Sequence, residues 1–208
     1  MPERLHLETF GPVHALPVLH YRLEFAALVA AAFHQVRPDA VAIELPVTFA
    51  APFLRAVSRL PQVSVISSPA GEGSSYLLVE PADPLVEAAR LAGEHGVPLH
   101  CIDTDIDGYP RYPERLPDSY SICRLGLAAY YGAYRQACGS QEPGAEDRRR
   151  EQAMAYRLQQ LAFRHRRILY VCGMAHLERV KQIFHTPQAA PLERTSRAEF
   201  ARMRRRLP

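Results

Sequence analysis

Apolar positions along this chain follow two rhythms, short continuous runs and longer stretches that recur every three to four residues. "RLHLETF" (4–10) reads as a first strand. In "YRLEFAALVAAAFHQV" (21–36), Leu23, Ala27, Ala30 and Phe33 form one helical stripe. "RPDA" ends that helix, because the residue before proline disfavours the α region. "VAIELP" (41–46) is almost wholly apolar, as suits a strand buried on both faces. "TFAAPFLRAVSRL" predicts a short helix and "QVSVISS" a β segment. "PAGEGSS" predicts a turn or mobile loop from its Gly and Ser content, and "YLLVE" fits a strand or a helix lead-in equally. "DPLVEAARLAGEHG" carries an Asp cap, a proline at the first helical position and a terminal glycine.

The rhythm continues to the end of the chain. "VPLHCID" (97–103) is another buried strand, and three prolines make "GYPRYPERLPDS" an irregular loop. Two helices follow, "YSICRLGLAAYYGAYRQAC" and a second from about 146 to 163, separated by "GSQEPGA". "RILYVC" is a strand and "MAHLERVKQIF" a helix. Strands alternating with helices predict an α/β fold with a mostly parallel central sheet and helices on both faces. The pair at about 118–165 is a helical insertion before the last strand. One domain is expected over 1–186, with a polar, basic tail over 187–208.

Composition narrows the function classes. The chain has 208 residues, 48% of them hydrophobic, enough for one sizeable core. Its 25 basic and 22 acidic residues leave a net charge of +3, so no global charge draws it to nucleic acid. "RMRRRLP" at the end reads as a solvated tail rather than a phosphate contact. Cys101, Cys123, Cys138 and Cys172 form no CxxC pair, which argues against a zinc ribbon; Cys101 and Cys172 read as small buried hydrophobes. The N-terminus has no apolar signal region, and no span reaches about 18 apolar residues. The expectation is a cytoplasmic protein with no membrane and no nucleic-acid partner. Tyr120, Tyr130, Tyr131 and Tyr134 sit at mixed helical spacing and suit core packing or a homodimer interface.

Candidate chemistry clusters at predicted strand ends, where ligands bind in open parallel sheets. His14 follows the first strand in "FGPVHALPVLH". Glu44 ends "VAIE", Asp103 and Asp105 end "LHCIDTD", and His176 follows "YVCGMAH". The spacing GxxH, seen at Gly11–His14 and Gly173–His176, is weak alone; it gains weight because each copy follows a predicted strand. Two imidazoles and a carboxylate suit a divalent metal such as manganese, cobalt or zinc. A metal would bring its bound water's pKa down towards about 7, and Glu44 would ligate it or act as general base. The plainer readings are loop histidines bonded to carbonyls, Glu44 paired with an arginine such as Arg150, and Asp103 and Asp105 forming a turn. His20 reads as a helix-start or substrate group, and Arg150, in "EDRRRE", as a solvated or an anion-binding side chain.

The motifs "GPVH", "RPDAVAIELP", "REQAMAYRLQQL" and "ILYVCGMAHLERV" resemble the superfamily of TraB and PrgY pheromone-shutdown proteins, GumN-like proteins and Tiki metalloproteases. Erythromycin esterases (EreA-like) and ChaN haem-binding lipoproteins are its more distant members. The resemblance implies metal-dependent hydrolysis through His14, His176 and Glu44, with Arg150 matching the arginine of a late "RD..MA" helix; Glu151 stands where that pattern has Asp. It implies a peptide or small-molecule substrate; His20, Asp103 and Asp105 are expected as further contacts from their own positions near the strand ends. The esterase relatives imply a metal-free variant in which His14 or Glu44 activates water directly. PrgY-like and ChaN-like relatives imply the alternative of a binding, sequestering protein without turnover.

Overall fold

A computed structural model describes residues 5–70, 73–106, 118–138 and 142–192. The chain begins with a short hairpin, β1 (Glu8–Phe10) and β2 (Val13–Val18). Gly11, at φ 53°, supplies the positive φ that a two-residue hairpin loop needs first. The first GxxH motif therefore starts in a turn between strands. This corrects the reading of "RLHLETF" as the main first strand: β1 is a three-residue appendage, and the buried strand is "VHALPV". Pro17 is tolerated there because β1 pairs no further along β2 than Ala15, and proline is accepted where one side of a strand lacks a neighbour.

After β2 come α1 (Leu23–Val36), β3 (Ala40–Pro46), α2 (Ala50–Val57) and a separate hairpin of β4 (Ser64–Ala70) and β5 (Gly73–Val79). Then α3 (Pro84–Glu94) leads to β6 (Leu99–Asp103). The helical insertion is α4 (Ile122–Cys138), broken at Gly126, and α5 (Ala145–Ala162). The last unit is β7 (Ile168–Gly173) and α6 (Leu177–Phe184). The sheet order is β1-β2-β7-β3-β6, with β2, β7, β3 and β6 parallel and β1 antiparallel. The fold is thus α/β, with a mostly parallel sheet whose last strand lies at its centre.

Handedness explains the layers. The steps β2 to β3 and β3 to β6 run one way across the sheet, and the step from β6 back to β7 runs the other way. Right-handed crossovers therefore place α1 and α3 together on one face and the insertion on the other. α1 packs on α3, and α5 packs on α6 and β6. β3 and the inner turns of β7 are wholly buried, which accounts for their apolar runs.

Two sequence expectations shift. The inward stripe of α1 is Phe25, Val29, Ala32, Phe33 and Val36, and Leu23 is 66% exposed. One i, i+4 stripe had competed with another in an Ala-rich helix, and the aromatic pair set the rotation. Tyr76–Val79 of "YLLVE" and the closing "GSS" of "PAGEGSS" form strand β5, and the opening "PA" of that stretch ends β4. Most of "GYPRYPERLPDS" and the tail from 193 lie outside the described residues.

α5 joins the insertion to the core through Met154, Leu158 and Leu161, all buried. Leu158→Ala should cost about 2–5 kcal/mol, the range for a buried leucine that leaves a cavity. Phe163→Ala, at a residue 84% exposed just past the helix, should change stability by less than about 0.5 kcal/mol. Urea unfolding midpoints of the two variants check the contrast.

Candidate functional site

Four strand ends and one helix build the site. At the carboxyl end of β3, Glu44 turns its carboxylate towards β7. Its Oε2 accepts from the backbone N–H of Gly173 at 2.6 Å. A Cβ at position 173 would stand 3.2 Å from that oxygen and 3.6 Å from His20 Nε2, so glycine is what allows the two strand ends to come this close. Asp103, fully buried, ends β6.

Arg150 on α5 reaches into this rim. Its Nη2 donates to Glu44 Oε1 at 2.6 Å and to Asp103 Oδ2 at 2.8 Å, and its Nε donates to Asp103 at 3.0 Å. Asp147, one turn earlier, stands 3.7 Å from Nη1. His176 occupies the N-cap position of α6, its side chain free of any capping bond to the helix. Its Nδ1 is 2.7 Å from Glu151 Oε1, and Nε2 is 3.1 Å from Arg150 Nη1 and 3.5 Å from Glu44 Oε1. Arg179 closes the outer side by donating from Nε to both oxygens of Glu151.

A second imidazole approaches from β2. The chain leaves that strand through His20 and Tyr21, and Tyr21 has φ 56°, a rare conformation for a bulky residue. Asp83 holds the turn, since its Oδ2 accepts from Tyr21 N–H at 3.0 Å. The same carboxylate caps α3 by accepting from Leu85 and Val86 N–H and lies 3.7 Å from His20 Nδ1. His20 and Glu44 thereby stand side by side beside Gly173, and both line a cavity of about 600 Å³. Polar groups of His20, Glu44, Arg150 and His176 form the cavity floor; Phe49, Phe53, Leu85 and β5 form apolar walls.

Electrostatics assign the charges. Burial alone would raise the Glu44 pKa, but His176, Arg150 and His20 bring it down to about 2. Asp103 shares Arg150, yet burial dominates and raises its pKa. Of the two carboxylates, Glu44 keeps its charge more firmly. Desolvation would lower the pKa of His20, whose side chain is 38% exposed; the carboxylates of Asp83, 3.7 Å away, and Glu44 outweigh it and raise the value. His176 is likewise raised, burial being outweighed by Glu44 and Glu151. The Arg150–His176 contact needs Nε2 to accept, hence a neutral ring protonated at Nδ1. Protonation would turn Nε2 into a donor towards Glu44 instead.

The structure brings Glu44, Arg150, His176, His20 and Asp103 together, and leaves His14 out. His14 lies in β2 opposite Leu169 in the first turn of β7, at the amino edge of the sheet. Burial and the neighbouring Arg167 lower its pKa. Some four strand residues, about 13 Å, separate it from the rim, so His14, His176 and Glu44 share no centre. The residues present do not fit a divalent metal. Both Glu44 oxygens are engaged, and the Arg150 guanidinium lies within hydrogen-bond distance of both Glu44 Oε1 and His176 Nε2, a fixed positive charge that would repel a cation held by the two. Among the described residues no group of three or more His, Cys, Asp or Glu is arranged to hold one. The expected substrate contacts of Asp103 and Asp105 are also corrected: Asp103 lies beneath Arg150, and Asp105 accepts from Thr48 Oγ1 at 2.8 Å.

Asp83, Glu151, Arg179 and Tyr21 were not singled out from sequence as site residues. One signal was present. Asp147, Arg150 and Glu151 precede Met154, Leu158 and Leu161 at three- and four-residue spacing, so the charges continue the apolar stripe of α5 inward.

Arg150→Ala would leave Glu44 and Asp103 buried without their shared cation, and should destabilise the fold by about 3–5 kcal/mol; urea unfolding measures it. The imidazoles predict a pH slope. His20 and His176 bind protons more tightly folded than unfolded, so their stabilisation is complete below the unfolded value of about 6.5. It is lost as pH rises through their folded values. Unfolding midpoints should fall from pH 6.5 to 9, and Glu151→Gln should make that slope shallower.

Comparison of the chain with protein-family models, with curated proteins and with solved structures gave no match. The superfamily resemblance therefore rests on the quoted motifs.

Proposed function

We propose that this chain is a hydrolase that cleaves an ester or amide with protein groups alone. The observation that carries the reading is the Asp83-held turn that brings His20 to the cavity beside Glu44 and its partner Arg150. A residue held at φ 56° beside a cavity is a place where strain of about 1–3 kcal/mol is retained for geometry.

His20, rather than Glu44, is the general base. A carboxylate whose pKa lies at about 2 is too weak a base for water, whereas an imidazole with a raised pKa is well matched near neutrality. Water adds its oxygen to the carbonyl carbon as His20 Nε2 takes its proton. The same proton passes to the leaving oxygen or nitrogen as that atom's bond to carbon breaks. The products are a carboxylic acid and an alcohol or amine. Arg150 supplies positive charge at the floor for the developing oxyanion. His176, buried between Glu151 and Glu44, holds the carboxylate and guanidinium in place and is a positioning residue.

A second reading, capture of a peptide or small molecule without turnover, is favoured by one observation. The Arg150 guanidinium already contacts Glu44, Asp103 and His176, which leaves it less freedom to follow a changing substrate.

Hydrolysis of p-nitrophenyl butyrate decides between them. The enzyme reading expects turnover that EDTA leaves unchanged, and a loss of about 10²–10⁴ in kcat/KM for His20→Ala. Because His20 acts when neutral, kcat/KM should rise with pH through a value above 6.5. EDTA inhibition reversed by manganese or zinc would overturn the metal-free mechanism. Absence of turnover in the unaltered chain would favour capture.

A further inference from the structure

The hairpin β4–β5 stands apart from the main sheet, so each of its strands has one edge without a strand partner among the described residues. In β5, Val79 and Leu77 share the inner face with Ser64 and Ile66 of β4, while Leu78 and Tyr76 share the outer face with Val65 and Ser67. A strand that showed a cavity only one face would line it with alternate residues. Ser75, Tyr76, Leu77 and Leu78 all line the cavity. The edge of β5 therefore faces it, backbone included.

The direction of the edge groups follows from the hairpin register. Ala70 and Gly73 close the hairpin across a two-residue loop and so form a hydrogen-bonded pair, as do Ile66 with Leu77 and Ser64 with Val79 at every second position. In an antiparallel pair, residues alternate between both polar groups inward and both outward. The outward set is then Leu78, Tyr76 and Ser74. Of these, Leu78 and Tyr76 line the cavity, and Tyr76, at the middle of the set, presents its outward N–H and C=O there. Its side chain is 70% exposed and does not block the edge.

Resting on the hydrolase reading of this cavity, we propose that its substrate is an extended peptide that adds to the β5 edge as a third strand. Its backbone pairs with Tyr76. Alternate side chains enter the apolar wall of Phe49, Phe53 and Leu85, and the strand carries a peptide carbonyl towards His20. Strand addition draws affinity from main-chain hydrogen bonds and selectivity from pockets for alternate side chains. The juxtaposition of a strand edge, an apolar wall and a polar floor in one cavity provides both.

The probes are blocked hexapeptides in which Leu, Val or Phe alternates with Ser, and their counterparts N-methylated at alternate peptide nitrogens. Calorimetry on the unaltered chain should show binding that N-methylation weakens about tenfold or more. Tyr76→Pro removes one outward N–H at a position where a strand edge accepts proline; it should bind about tenfold more weakly than Tyr76→Ala, which keeps that N–H. Equal binding of methylated and unmethylated peptides overturns strand addition without reference to any variant. Edge-dependent binding without cleavage keeps strand addition and removes the hydrolase. Turnover of the aryl ester with no peptide binding overturns strand addition and leaves the hydrolase standing.

Discussion

A guanidinium buried beneath a sheet's carboxyl edge has to be surrounded by anions, and most of this site follows from that requirement. Removing a charge from water costs several kcal/mol even after relaxation. Arg150 is offset by Glu44 from β3, Asp103 from β6 and Asp147 from its own helix. Each carboxylate in turn fixes something else. Glu44 takes the N–H of Gly173 and so joins the end of β3 to the end of β7. Glu151 takes His176 and Arg179 and so joins α5 to α6. The insertion is therefore docked by a polar network at its first turns and by an apolar stripe further on, which makes the site and the fold mutually dependent.

The other imidazole is held by a different device. Asp83 caps α3 through two N–H groups and holds the left-handed residue Tyr21 with the same side chain. The strain in that turn is offset by a cap that the helix needs in any case. Two independent anchors, Asp83 and Arg150, thus place His20 and Glu44 beside one another at Gly173. The guanidinium supplies the positive charge next to both Glu44 and His176.

The architecture was legible because its signals were strong and local. Continuous apolar runs marked β3, β6 and β7, and the Asp83–Pro84 pair marked the start of α3. The site was legible in part. Glu44 and His176 stood at the ends of unmistakable strands and are in it, with Glu44 paired to Arg150 as the plainer reading supposed. His14 was misplaced for a specific reason. Gly11–Pro12 looked like the exit of a strand but is a hairpin turn, so the histidine belonging to the carboxyl end of β2 is His20, one strand length later. The proline inside "VHALPV" concealed a buried strand that β1 leaves unpaired from Leu16 onwards. Local patterns marked Asp83 as a helix cap and Glu151 as an inward charge of α5, but their contacts with Tyr21, His20, His176 and Arg179 join elements distant in sequence.

Carboxylates outnumber guanidiniums around the floor: Glu44, Asp83, Asp103 and Glu151 face Arg150 and Arg179. That imbalance explains why both imidazoles are raised, the buried His176 and the partly exposed His20 alike, since each proton they take offsets a carboxylate.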